Sequence, residues 1–472
     1  MTLATDAKPL HLPELDPGFL PASLWNREFA DLADQHGRVE VRIAMIRPDG
    51  TGDIHKDLIL SPSAPDACVS NLKHLERTIK FLIWSLGGSR IVIEGASEYI
   101  NELSGIYSLE GARAFDVDFV KRVFKAQLTI EDASVGGLPE IKESPATGNP
   151  STALRGNRIG FDLGGSDRKC AALIEGEVVF STEVTWDPYF EKDPSYHCEG
   201  IMDSLRLAAA HLPSVDAIGG SAAGVYVDNK VRAASLFRGV PDELFEDHVE
   251  NMFLDIAKEW NDVPIRVVND GDVTALAGAM SLKSGNVLGL AMGTSAAAGY
   301  ADSDSKITPW LSELAFVPVD YRDKAPEDEW SGDLGCSVQY FSQQAVCRLI
   351  PAAGLEIDDS LSKAEKLVEV QKAMKDGDDR AAAIYRSIGV YLGYSIPQYA
   401  RFYEIKHMLL LGRVMSGEGG EIIIEGARKV LEDEFPEMAG QIEISTPDEK
   451  MKRHGQAIAA ASLPRLQATS EV

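Results

Sequence analysis

The chain has 472 residues, 44% hydrophobic and 25% charged, with 73 acidic against 46 basic side chains and a formal net charge of -27. That length exceeds one ordinary core and predicts two or three domains of a globular protein. The acidic balance argues against nucleic-acid and anionic-membrane partners, because phosphate contacts need clustered Lys and Arg.

The first fifteen to twenty residues, rich in Pro and polar side chains, read as a mobile or draped tail. VEVRIAMIRPDGTGDIHKDLIL reads as two strands joined at a Pro-Asp-Gly-Thr-Gly turn. NLKHLERTIKFLIWSLGG carries Leu72, Leu75, Ile79, Leu82 and Ile83 at helical spacing and stops on a glycine pair. SRIVIEGA follows as a strand and SEYINELSGIYS as a helix, giving a small α/β domain over residues 1–138. Its apolar run FLIWSLGG is far shorter than the roughly 20 residues that span a bilayer. The stretch 139–158 is polar, contains Pro139, Pro145 and Pro150, and reads as a linker. Strand and helix patterns then alternate to the end, as in an α/β architecture. DELFEDHVENMFLDIAKEW reads as one amphipathic helix, and MKRHGQAIAAASLPRL closes the chain with a small-residue helix.

The five cysteines are scattered without a CxxC pair, which argues against a disulfide framework or a four-cysteine zinc site. The first residues lack the basic start and apolar core of a signal peptide, so a cytoplasmic location is expected.

IGFDLGGSDRKCAALI and VLGLAMGTSAAAGYA share a design of apolar strand, Gly/Ser/Thr turn and second strand. Each could be a bare hairpin whose glycines serve only positive φ, or each could offer backbone N–H groups to phosphate. In the first, Asp162 could hold Mg²⁺ through water. VVNDGD sets Asn269 and Asp270 at a strand end opening into a helix, where Asp270 could take the proton of an attacking alcohol while Asn269 fixes the hydroxyl. Asp270 could equally be an N-cap carboxylate. The second turn, Met292-Gly293-Thr294-Ser295, could hold the transferring phosphate. LLLGRVMSGEGG could receive a flat adenine, or Gly412 and Gly417 could merely cap a turn. The order of the pieces favours phosphoryl transfer.

Taken together, DLGGS, IGGSAAGVYVD, VVNDGDVTAL, AMGTSAAAGY and LLLGRVMSG resemble the ROK family of sugar kinases and sugar-responsive repressors over residues 155–465. The resemblance implies an α/β fold of two ribonuclease-H-like lobes of the actin/hexokinase/Hsp70 type, here 159–285 and 286–472, preceded by the small extra domain. It implies ATP and Mg²⁺ as cofactors, a hexose or N-acyl hexosamine as acceptor, usually at the 6-hydroxyl, and a homodimer by family habit. Asp162, Gly164, Gly165 and Ser166 match the first phosphate motif, and Gly293 with Thr294 the second. Gly412 matches the adenosine loop. Asp270 matches the catalytic base, and Asn269, Gly224 and Glu313 match substrate-binding positions.

The departures cluster on the acceptor side. Where the family has Glu-x-Gly-His, this chain reads ELAF, with Phe316 at the histidine. Where it has Cys-x-Cys-Gly-x-x-Gly-Cys-x-Glu, this chain reads EWSGDLGCSV: Cys336 remains, but Glu329 and Ser331 replace cysteines and Val338 replaces the glutamate. One thiolate cannot build a tetrahedral site, so no structural zinc is expected. Ser295 and Arg413 also replace family glycines. His197 and Cys198 are adjacent rather than two apart and are not read as ligands on one strand face. The competing reading is a non-catalytic sugar or nucleotide sensor, since the family includes repressors; the acidic chain lacks a recognisable DNA-reading helix. A third is a scaffold whose N-terminal domain binds a partner protein.

Overall fold

In a computed structural model the described residues are 8–142, 154–447 and 455–466. The chain divides into two compact units: Met1–Ser144 with Leu290–Ala298 and Trp310–Ser445, and Pro145–Gly289 with Gly299–Pro309 and Thr446–Val472. This differs from the expected division. Residues 1–138 are no separate domain but share the first unit with much of the expected second lobe. Residues 143–153 of the expected linker lie outside the described residues, and its last two, Asn157 and Arg158, already belong to a strand.

The first unit opens with residues 8–20, which are draped on it. Asp16 accepts from Arg322 at 2.6 and 2.9 Å, Arg348 at 3.0 Å and Tyr391 at 2.9 Å. Helix α1 (Ala22–His36) follows, burying Ala22, Trp25, Phe29 and Ala33 along one face. Strands β1 (Arg38–Ile46) and β2 (Gly52–Leu60) form the expected hairpin. With β3 (Arg90–Glu94) and β4 (Thr129–Asp132) they make a sheet ordered β2-β1-β3-β4. Helix α2 (Ala67–Ser85) buries the expected Leu75, Ile79, Leu82 and Ile83, but also His74, Glu76, Arg77 and Lys80. Its other side is covered too: Phe81 stacks on Phe402 with centroids 3.8 Å apart. Helices α3 (Ile100–Ile106) and α4 (Ala114–Phe124) complete this part.

A second sheet orders β13-β12-β14-β15, from β12 (Val287–Met292), β13 (Ala296–Ala301), β14 (His407–Leu411) and β15 (Glu443–Ser445). The long helix α11 (Asp379–Tyr399) packs on α12 (Glu418–Glu434), where Gly389 and Gly426 allow close approach; a Cβ on Gly426 would lie 3.2 Å from the Gly389 Cα. Helices α9 (Gln343–Ala353), α10 (Lys363–Lys375) and α13 (Pro436–Ala439) flank them.

The second unit holds a five-stranded sheet ordered β11-β8-β5-β6-β7. Strands β5 (Asn157–Leu163), β6 (Asp167–Ile174) and β7 (Glu177–Thr185) form an antiparallel meander. Strands β8 (Ala217–Ala222) and β11 (Ile265–Asn269) add to β5 in parallel, the arrangement of a ribonuclease-H-like lobe. Helix α5 (Pro194–Ala209) packs on the meander, and β9 (Val225–Val227) pairs with β10 (Lys230–Ala233). The run expected as one helix breaks into α6 (Asp242–Leu244), a π turn at Phe245–Val249 and α7 (Met252–Glu259). Helix α8 (Asp270–Leu282) leaves β11 directly, and α14 (Gln456–Ser462) is the expected small-residue helix. It lies flush on the sheet because a Cβ on Gly160 or Gly219 would fall 1.8 or 1.7 Å from the Ala457 and Ala460 carbonyl oxygens.

Candidate active site

The carboxyl ends of β5, β8 and β11 gather the acidic residues, as open α/β sheets do with their sites. Asp162, near the end of β5, stands opposite Ser221 in the parallel register. The Ser221 hydroxyl donates to Asp162 Oδ1 at 2.6 Å, and both residues are buried. Asn269 ends β11 and is the N-cap of α8. Its side-chain oxygen accepts from the Gly271 amide at 2.7 Å, and its Nδ2 donates to the Gly224 carbonyl at 2.8 Å. Asp270 is therefore not the cap but the first helical residue, with Oδ1 3.0 Å from the Gly271 nitrogen. Gly224 is required here: its φ is +129°, and a Cβ would lie 2.4 Å from that of Ala234.

Burial pushes the Asp162 carboxyl up to about 6; the Ser221 hydrogen bond opposes this and the Asp270 charge adds to it. Burial likewise raises Asp270, against the stabilising Gly271 amide. Tyr226, whose hydroxyl donates to the Ala223 carbonyl at 3.1 Å, is pushed up by burial and by Asp270. Burial disfavours the charge of both carboxylates, a setting suited to a group that takes up or passes on a proton. Asp162 is a carboxylate, the donor type that Mg²⁺ takes directly or through water.

The turn between β5 and β6 is held by the Gly164 amide donating to the Asp167 carbonyl at 2.9 Å and by Trp186 Nε1 donating to the Gly164 carbonyl at 2.7 Å. Neither Gly164 nor Gly165 has positive φ, so the bare-hairpin explanation of these glycines does not apply. At Gly165 a Cβ would lie 2.0 Å from the Tyr189 hydroxyl oxygen, so a larger residue there would have to displace that ring. Ser166 Oγ donates to Asp167 Oδ2 at 2.9 Å.

In the first unit, Gly293 and Gly412 are brought together. The Gly293 amide donates to the Ser295 carbonyl at 2.9 Å, leaving Thr294 exposed at the tip. Gly412 has φ +99°, and a Cβ there would lie 2.5 Å from the Met292 carbonyl oxygen. Glu313 is partly buried, and Phe316 packs on Trp84 and Phe115, centroids 4.3 and 5.6 Å away. Val338 is 2% exposed and faces the core. The family's zinc positions do not fit zinc: Phe316 has no donor, Glu329 pairs with Lys363 at 2.7 Å, Ser331 donates to Asp328 at 2.7 Å, and burial pushes the Cys336 thiol up to about 12. Among the described residues no group of three or more His, Cys, Asp or Glu could hold a metal ion. His197 is buried, with Nε2 3.0 and 2.9 Å from the Pro188 and Leu236 carbonyls.

Ser221 and Tyr226 were not singled out as functional in the sequence. Their only signal was membership of IGGSAAGVYVD, and the register that brings Ser221 to Asp162 is a property of the sheet. Among the described residues no helix is long and apolar enough to cross a membrane.

Neither a family model nor any curated protein sequence matches the chain. Among solved structures, the ROK hexokinase from Thermus thermophilus is 16% identical, over 65% of this chain and 97% of that one, with a TM-score of 0.51. A ROK family transcriptional regulator, a homologue of the E. coli MLC protein, is 17% identical, over 66% of this chain and 78% of that one, with a TM-score of 0.50. Over about two thirds of its length the chain shares the fold of these ROK proteins. One of these two relatives in structure is a kinase and the other a regulator, so the fold alone leaves the activity to the residues.

Proposed function

We propose that this chain is an ATP-dependent carbohydrate kinase that transfers the γ-phosphoryl group of ATP to a hydroxyl of a hexose or N-acyl hexosamine, at the 6-position. The observation that carries the reading is the placing of two carboxylates, Asp162 with the Ser221 hydroxyl on it and Asp270 next to the cap Asn269, at the carboxyl ends of parallel strands. Phosphoryl transfer needs a base near the acceptor and a carboxylate near the phosphates, and two carboxylates whose charge burial disfavours, at strand ends of one sheet, are of the type that supplies them.

In this reading Asp270 accepts the acceptor hydroxyl's proton as the new oxygen–phosphorus bond forms and the bond to the ADP oxygen breaks. Asn269, fixed at both ends of its amide, and Gly224 define the floor on which the hydroxyl rests. Glu313 holds further acceptor hydroxyls. In the second unit the Gly164–Ser166 turn offers a phosphate-binding position, and in the first the Gly293–Thr294 turn, beside Gly412, offers another. Magnesium, when bound through water at Asp162, supplies charge neutralisation for the phosphates.

A second reading, a sugar or nucleotide sensor without catalysis, is favoured by one observation: Phe316 and Val338, at two acceptor positions, are packed into the protein. Phosphorus NMR of ATP and Mg²⁺ with a panel of hexoses and N-acyl hexosamines separates the two. A sugar phosphate appearing with ADP supports the kinase. Sugar binding by calorimetry without that product supports the sensor.

A further inference from the structure

The N-terminal residues lie outside the chemistry described above, yet they grip the segment that carries Glu313. Helix α2 ends with its Trp84 and Ser85 carbonyls accepting from the Glu313 and Ser312 amides, each at 2.9 Å. The Trp84 ring packs on Phe316, and its Nε1 donates to Asp116 Oδ1 at 2.9 Å.

One turn earlier on α2, Lys80 is fully buried. Its ammonium donates to both Asp116 oxygens at 3.0 and 3.1 Å and pairs with Asp333 at 3.1 Å. Arg77 and Arg113 reach the same Asp333 at 3.3 and 2.5 Å, and Glu76 joins both arginines at 2.5 Å. Three cations from residues 77–113 are thus set against Glu76, Asp116 and Asp333. The loop bearing Asp333 is in turn sewn to the Glu313 segment: Ser337 N donates to the Val317 carbonyl, and Val319 N to the Gly335 carbonyl, each at 2.9 Å.

A buried ion cluster contributes little net stability against an apolar replacement but strongly resists loss of one member. It therefore specifies position. We propose that α2 is a built-in positioning element for the acceptor, in which Lys80 and Trp84 are positioning residues that fix Glu313 and Phe316 through Asp116, Asp333 and the two carbonyl contacts. The inference rests on the reading of Glu313 as an acceptor-binding residue, and it gives the N-terminal residues a role that needs no partner protein. Specificity for the acceptor then depends on residues far upstream of the kinase-like motifs.

Hydrogen exchange on the full chain tests this without requiring turnover. In Lys80→Met, amides of 312–319 and 333–337 should exchange about tenfold faster while those of β5, β6 and β8 hold their wild-type rates. Lys80→Arg should restore most of the protection. Trp84→Phe, which keeps a ring but removes the donor to Asp116, should show the same local effect more weakly, and it decides the matter if Lys80→Met does not fold. With a sugar that is turned over, the sugar KM should rise about tenfold while the ATP KM stays put. Unchanged exchange at 312–316 in the variants that fold overturns the proposal, as does an acceleration spread equally over both units. A wild-type chain that turns over no sugar would defeat the kinase reading while leaving the exchange result to judge the positioning.

Discussion

Ser221 and Asp162 face each other on neighbouring parallel strands, and the serine hydroxyl donates to the carboxylate at 2.6 Å where both are buried. A hydrogen bond to a buried charge contributes about 1.5–3 kcal/mol, more than one between neutral groups. Ser221→Ala is therefore expected to lower stability by about that amount at pH 8, where Asp162 is ionised, and by less at pH 4.5, where it is protonated. Urea unfolding at the two pH values checks this; equal losses at both would show that the hydroxyl does not serve the charge.

Asp162 also makes stability depend on pH. Its value of about 6 in the folded protein lies above the usual carboxylate range, so the folded state holds this proton more tightly than the unfolded one. The associated stability is full below about pH 4 and is lost as pH rises through about 6. A two-unit shift corresponds to about 3 kcal/mol. Asp162→Asn should thus stabilise the ligand-free protein by about 1–3 kcal/mol at pH 8 and change little at pH 4, while abolishing any turnover. Denaturant midpoints across this range give the sign, and a variant less stable than wild type at pH 8 would contradict it.

Gly224 carries the carbonyl that anchors Asn269, at a φ of +129° where a Cβ would meet Ala234 at 2.4 Å. Gly224→Ala combines backbone strain with overpacking, together about 2–4 kcal/mol. The thermal midpoint should fall, and the acceptor KM should rise more than the ATP KM because Asn269 is displaced with its anchor.

Much of the second unit was legible because its signals are local. The apolar runs on either side of Asp-Leu-Gly-Gly-Ser pointed to β5, its turn and β6, whereas the close approach of α14 to Gly160 and Gly219 is set by the tertiary packing and was not read from these glycines. Between residues 242 and 259 the amphipathic period runs on through Phe245–Val249, but the backbone there takes a π turn that periodicity does not record. Helix α2 shows the other limit. Its leucines and isoleucines announced one buried face, but nothing local showed that Glu76, Arg77 and Lys80 are buried, since their partners Arg113, Asp116 and Asp333 lie elsewhere in the chain. For the same reason residues 1–138 read as a separate domain. At the candidate site, residue types were readable but roles were not: the cap of α8 fell to Asn269, leaving the Asp270 carboxylate at the first helical position.

In the proposed reaction Asp270 takes a proton from a sugar hydroxyl during transfer from ATP. Sugar-stimulated release of ADP, followed for wild type and Asp270→Asn at matched sugar and ATP saturation, tests it most directly. At least one hexose or N-acyl hexosamine should stimulate release, and kcat should fall by about 10²–10⁴ in the variant with sugar binding retained. Equal turnover by the two proteins, or no stimulation by any sugar that binds, would contradict it.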